Sequence, residues 1–215
     1  DDEAIERAYL HYVENIEPRV KPLYFELQKK YLQSPARQQL DPKRYSILTR
    51  RWQADVELFR QANVPLETEA TKLVTDYDKI CGSMTVNIDG KEYTLPQANR
   101  FLEEPDRALR QRSWEAIANR RQQDSQRCEE LFEKLLPLRQ TIASNADLPD
   151  YRAYAWQAYK RFDYTPLDCA KFAEAVAETC VPLVDELNRQ RQADLKLDRL
   201  RPWDLSVDPH NRPPL

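Results

Sequence analysis

Residues 145–194 read NADLPDYRAYAWQAYKRFDYTPLDCAKFAEAVAETCVPLVDELNRQRQAD, and this stretch decides the fold. Thr165-Pro166-Leu167-Asp168 sets a capping hydroxyl, a first-turn proline and an acidic third residue in the order that opens a helix. Behind that cap Phe172, Val176, Cys180, Val184 and Leu187 recur at threes and fours, the period of one helical face. Pro182 is expected to bend the helix, because proline removes a backbone donor and crowds the preceding turn. Before the cap, Tyr151, Tyr154, Trp156, Tyr159, Phe162 and Tyr164 crowd a short helix. They surround it instead of forming a stripe, so they must meet different neighbours, and their polar tips need partners if buried. Core packing is the plainer reading of these rings, and contact with a substrate the functional one.

Working outward, the same helical period recurs along most of the chain. Ile5, Tyr9, Tyr12, Ile16, Val20, Leu23, Leu27 and Tyr31 mark a first helix over 3–33, with a kink or break expected between Glu17 and Pro22. Asp41-Pro42 supplies an N-cap and a first-turn proline for a second, whose inner stripe is Tyr45, Leu48, Trp52, Val56 and Phe59. Leu66, Ala70, Leu73, Tyr77 and Ile80 mark a third, with Gly82 placed to end it in a left-handed cap. Met84, Val86 and Ile88 then alternate with polar residues, and Asp89-Gly90 forms a two-residue turn before 91–95. One hairpin is too small to stand alone and must pack on helices or extend another sheet. The longest helix is expected over 105–143, with Arg121 and Asp124 or Ser125 breaking its apolar stripe. That break implies a solvent gap, a buried ion pair or a wall of a water-filled cleft. The last helix fades into RQADLKLDR (191–199), and the stretch LRPWDLSVDPHNRPPL (200–215) beyond it has neither cap nor helical period and reads as extended chain. The fold class is therefore all-α, mainly long amphipathic helices with several proline kinks, plus one small β-hairpin near 84–95.

Composition excludes several functions. The chain of 215 residues has only two glycines, Gly82 and Gly90, against a usual share of ~7%. Phosphate-cradling loops need glycine for close approach of backbone amides, so no dinucleotide or P-loop site can be drawn. A net charge of −3, with 33 basic and 36 acidic residues interspersed, gives no field that would gather nucleic acid or a membrane surface. Arg50-Arg51 and Arg120-Arg121 read as solvated helix faces. No apolar run approaches the ~20 residues of a membrane span, and the acidic start lacks a signal peptide's positive flank. Cys81, Cys128, Cys169 and Cys180 lack C-x-x-C spacing and read as reduced, mostly buried thiols of a cytoplasmic protein.

Three segments together resemble a known family. They are LETEATKLVTDYDKICGSMTVNIDGKEYTLPQANRFLEEPDRALRQRSWEAI (66–117), NADLPDYRAYAWQAYKRFDYTP (145–166) and LRPWDLSVDP (200–209). Their order is similar to that in the oligoendopeptidase F branch of the thimet-oligopeptidase-like zinc metallopeptidases. There a hairpin, a helix introduced by a phrase like SPDRxxR and a long helix precede the catalytic region. Here the phrase stands as EPDRALR, 104–110.

The resemblance implies a helical lobe over 1–199, including the hairpin 84–95, and an extended segment over 200–215 leading to a C-terminal catalytic domain absent from this chain. That domain would be the partner and short peptides the substrates; neither nucleic acid nor membrane is expected. In the family, zinc is held by an HExxH helix whose glutamate acts as general base on the metal-bound water. His11 is followed by Tyr12-Val13-Glu14-Asn15 and His210 by Asn211-Arg212-Pro213-Pro214, so neither matches. No catalytic, cofactor-binding or metal residue is assigned: zinc belongs to the parent enzyme and none is expected on this chain. His11 and Glu14 share a helix face, but one imidazole and one carboxylate are too few for a zinc site. His210 sits in a proline-rich tail expected to be disordered. The expected function is the lobe lining the channel of a zinc metalloendopeptidase, inactive by itself. The alternative is a stand-alone helical interaction module.

Overall fold

The computed structural model describes residues 3–212, so Asp1 and Asp2 of the acidic start and Pro213, Pro214 and Leu215 of the tail lie outside it. Nine α-helices and one hairpin follow each other along the described residues. They divide into two compact units, the first built from residues up to Asp78 and Glu129–Tyr164, the second from Lys79–Cys128 and the residues after Tyr164.

In the first unit, α1 (Glu3–His11) runs through a π-helical stretch, Tyr12–Ile16, into α2 (Glu17–Gln33). The irregularity therefore falls before Glu17 and not between Glu17 and Pro22. Pro18 lies in the first turn of α2, where a missing donor costs nothing, and the helix continues through Pro22. The wide turn instead pairs the Glu17 amide with the Tyr12 carbonyl and turns Val13 inward, to 2% exposure. A 3₁₀ turn, Pro35–Gln39, leads to α3 (Pro42–Leu58), whose Asp41 cap accepts from the Lys43 amide at 2.9 Å. The expected inner stripe of α3 is only half-buried, and Ala54 and Leu58 are its buried residues. Against α2, α3 stacks Phe25 on Phe59 at 4.3 Å and sets Tyr31 edge-on to Trp52 at 4.9 Å. Helix α4 (Asn63–Gly82) starts in this unit, and α7 (Ser125–Asn145) ends in it. The buried Asn63 joins those two ends, donating to the Ile142 carbonyl at 3.0 Å and accepting from Asn145 at 2.8 Å. Helix α8 (Tyr151–Ala158), capped by Asp150, completes the unit against α3.

In the second unit the hairpin forms as the alternation predicts. Strands β1 (Thr85–Ile88) and β2 (Lys91–Thr94) pair antiparallel around Asp89 and Gly90, both at positive φ. Met84, Val86 and Ile88 are all buried, and β1 lies on α6 (Arg107–Gln123). Arg112 of α6 grips the turn, donating from Nε and Nη2 to the two Asp89 carboxylate oxygens at 3.2 and 2.8 Å. Between hairpin and α6 stands a short helix, α5 (Leu95–Asn99), that the periodicity gave no room to see. Its signal was the capping box Thr94-x-x-Gln97, in which both reciprocal bonds form.

The single helix expected over 105–143 is two. Asp124 ends α6 in non-helical geometry (φ −101°, ψ 4°), and α7 begins at once. Its buried carboxylate accepts from Arg120 and, at 3.3 Å, from Arg127. Of the three readings of the polar break, the ion pair is the one found at Asp124, while Arg121 is exposed.

Gly82 likewise departs from expectation. It is the last helical residue of α4 and has no positive φ. The left-handed caps fall instead on Asp147, Lys160 and Lys196, where α7, α8 and α9 (Pro166–Asp194) end. Each has the backbone bond pattern of a Schellman turn, such as the Leu148 amide on the Ala143 carbonyl at 3.0 Å.

The stretch after α9 is not loose extended chain. A 3₁₀ turn, Pro202–Asp204, packs on α6, with Asp204 fully buried and Val207 3% exposed. Arg107 donates to both Asp204 oxygens at 3.0 and 2.9 Å. The 2%-exposed Arg110 adds a third bond at 3.0 Å, and the Arg201 amide a fourth at 3.0 Å. Arg110 also donates to the carbonyls of Trp203, Glu104 and Pro105, each at 2.9 Å. Burial would raise the Asp204 pKa, but the bonds from Arg107, Arg110 and the Arg201 amide outweigh it and hold the carboxyl below its ordinary value.

Replacing this carboxylate tests the cluster. Asp204→Asn leaves a buried guanidinium short of its counter-charge and is expected to cost about 3–5 kcal/mol in denaturant unfolding. Because the folded pKa of Asp204 is the lower one, its contribution is present above the ordinary carboxylate range and fades as pH falls through the folded value. Wild-type stability should therefore drop in acid, while the Asp204→Asn variant loses less there. For the glycines, Gly90→Ala should cost about 1 kcal/mol in the same measurement, because φ is +83°. Gly82→Ala, with open space around the new methyl, should be neutral or stabilise by up to about 1 kcal/mol.

Candidate functional site

Two features of the described residues merit a functional reading. The first is a cleft of about 370 Å³ in the first unit, lined by side chains of the π-helical stretch and of α2, α3, α4 and α8. Its apolar wall includes Tyr24, Phe25 and Phe59, and its polar wall is a chain of paired charges. Lys21 donates to Glu67 at 2.8 Å and lies 3.3 Å from Glu17. Tyr154 donates its hydroxyl to the other Glu67 oxygen at 3.1 Å. Asp55 accepts from Gln28 at 2.9 Å and pairs with Lys160. These residues come from four helices and the turn that ends α8, and no local pattern in the sequence announces their pairing.

Electrostatics fixes what this cleft can do. Burial alone would lower the Lys21 pKa, but the Glu67 carboxylate more than offsets it, so Lys21 remains an ammonium. Burial, and then the charge of Glu67, push the Tyr154 hydroxyl well above its ordinary value, so it remains a donor. Neither group is poised to exchange protons near neutrality, where a general acid or base works best.

The second feature is α9. Its Thr165–Asp168 capping box forms as read, yet none of its residues is buried. Phe172 is 72% exposed, Val184 51% and Leu187 60%, and Val176 is half-buried, so most of the stripe that the period identifies faces solvent. Each large apolar side chain left in water forgoes ~1.5–3 kcal/mol of burial. The rings before α9 serve mainly as packing. Tyr151 stacks on Tyr154 at 5.7 Å, Trp156 sits edge-on to Tyr164 at 5.2 Å and donates to its carbonyl at 3.3 Å, and Arg50 covers Phe162 at 4.5 Å.

Each histidine has its own local polar neighbours. His11 contacts Asn15 at 3.3 Å, while Glu14 pairs with Lys72 at 2.9 Å. His210 lies in a turn 3.6 Å from Asp194, next to the Arg212–Asp208 pair at 2.8 Å. Among the described residues no group of three or more histidine, cysteine, aspartate or glutamate side chains could hold a metal ion. The donors present therefore do not fit a zinc site. The cysteines are less buried than expected: Cys81 and Cys128 are half-buried, Cys169 and Cys180 exposed. No helix among the described residues is long and apolar enough to cross a membrane.

Comparison with known proteins gives this geometry its context. No curated protein matches the chain. Among solved structures, a protein assigned as oligoendopeptidase F superposes with a TM-score of 0.91 at 25% identity, covering 97% of this chain and 37% of its own. PZ peptidase A, solved with an inhibitor, superposes with a TM-score of 0.91 at 26% identity, covering 98% of this chain and 37% of its own. An assigned oligoendopeptidase F from Bacillus anthracis str. Ames shares the fold, with a TM-score of 0.86 at 20% identity over 95% of this chain and 38% of that one. This chain thus spans little more than a third of the length of the structures it matches. The model of peptidase family M3 matches residues 100–211, which contain both arginines of the buried clasp and its aspartate, and the chain belongs to that family.

Proposed function

We propose that this chain is the N-terminal helical lobe of a zinc-dependent oligopeptidase, forming one wall of the channel that admits short peptides. The observation that carries this reading is the near end-to-end superposition on about 37% of two M3-type peptidase structures at 25–26% identity. The exposed stripe of α9 supports it, since a stripe holding Phe172, Val184 and Leu187 in water suits a surface covered by a further domain. That domain would supply the zinc ligands and the general base, and this chain would supply shape and access. A cytoplasmic location and short peptide substrates belong to the same proposal.

Purified 1–215 should bind no stoichiometric zinc and cleave no quenched fluorescent peptide. It should also bind an environment-sensitive dye strongly, and Phe172→Asp with Leu187→Asp should reduce that binding severalfold. Zinc near one per chain with chelator-sensitive cleavage would overturn the proposal. If a native gene were found to encode only these residues, the stand-alone interaction module would take its place, with the same α9 stripe as its contact face.

A further inference from the structure

The cleft of the first unit holds more negative charge than positive. Three carboxylates line it, Glu17, Asp55 and Glu67, against two ammonium groups, Lys21 and Lys160. Lys160 is matched by Asp55, whose other oxygen accepts from Gln28. The excess therefore lies at Lys21, where one ammonium serves two carboxylates, Glu67 at 2.8 Å and Glu17 at 3.3 Å. Glu67 also accepts from the Tyr154 hydroxyl, so Glu17 is the less firmly held of the two. Burial opposes the Lys21 charge and the two glutamates outweigh it, so Lys21 stays charged and the excess is a single carboxylate.

The backbone sets an aromatic ring on either side of that carboxylate. In a regular α-helix of about 3.6 residues per turn, Tyr12 and Glu17 would point well apart around the axis. The π-helical stretch instead bonds the Glu17 amide to the Tyr12 carbonyl, bringing Tyr12 one wide turn before Glu17 on the same side. Glu17, Lys21 and Tyr24 then follow at i, i+4 and i+7, one face of α2. Tyr12 and Tyr24 both line the cleft and both are exposed, while the stacked pair Phe25 and Phe59 adds half-buried apolar surface. Aromatic faces beside an under-compensated carboxylate attract a cation, and apolar walls favour one with an apolar body.

We propose that this cleft binds a small organic cation, a primary ammonium carried on an aromatic or branched apolar group. The ammonium sits against Glu17 between the rings of Tyr12 and Tyr24, and the apolar body lies along Phe25 and Phe59. The volume of about 370 Å³ accommodates a ligand of this size. Every residue of the site belongs to the first unit, so binding needs no further domain.

The test uses chain 1–215 and three probes of similar shape, 2-phenylethylamine, 2-phenylethanol and 3-phenylpropionate, in amide chemical-shift titrations near neutral pH. The amine should bind saturably, with its largest shifts in α2 and around Tyr154 and Lys160. The alcohol should bind severalfold more weakly and the carboxylate more weakly still. Glu17→Gln should weaken the amine severalfold, whereas Lys21→Gln, which removes the competing ammonium, should tighten it severalfold. A general loosening of the fold cannot produce opposite signs, and circular dichroism checks that each variant is folded. Tyr24→Leu, at an exposed position, should weaken the amine severalfold with little effect on the alcohol, and it serves if Lys21→Gln does not fold. Equal affinity for the three probes, or folded Lys21→Gln and Tyr24→Leu variants that bind the amine as the wild type does, would rule the site out.

Discussion

A carboxylate with no exposure to water, Asp204, is the constraint on which the second unit depends. A buried charge is tolerated only when paired and fully hydrogen-bonded, and here Arg107, Arg110 and the Arg201 amide meet that requirement. Arg110 is itself buried and spends its remaining bonds on three carbonyls, two of them just before α6. The start of α6, the turn 202–204 and the loop at 104–105 are thus fixed by one cluster. Its halves lie far apart in sequence, in EPDRALR and PWD, the phrases through which the chain resembles its family. The two phrases depend on each other physically, since either half alone would bury an unpaired charge.

Much of the fold was legible because local rules and tertiary structure agree. The Asp41 and Thr165 caps, the Asp89-Gly90 turn and the burial of Met84, Val86 and Ile88 all follow from the residues themselves. What misled were positions where a long-range partner overrides the local signal. Asp124 reads as a polar flaw in one helix, yet paired with Arg120 and Arg127 it divides two. Gly82 reads as a cap, but the left-handed positions went to an aspartate and two lysines. The stretch after α9 has no period because a buried ion pair organises it, and periodicity cannot register an ion pair.

The candidate site was the least legible part. Glu67, Lys21, Asp55 and Lys160 carry no motif, and their arrangement exists only once four helices meet. Paired among themselves, these charges line one wall of the cleft. The apolar stripe of α9 was readable as a stripe, but a period cannot say whether the face it marks is covered within the same chain. Membership of peptidase family M3 gives both features their setting.

The most direct test of the central claim is a double-mutant cycle on Arg110→Met and Asp204→Leu, measured by denaturant unfolding. If the buried pair organises the unit, each single change strands a charge, and the double change should be less costly than the sum of the two by about 2 kcal/mol or more. Additivity within about 0.5 kcal/mol would contradict the account, because it would mean that the two groups hold their places independently.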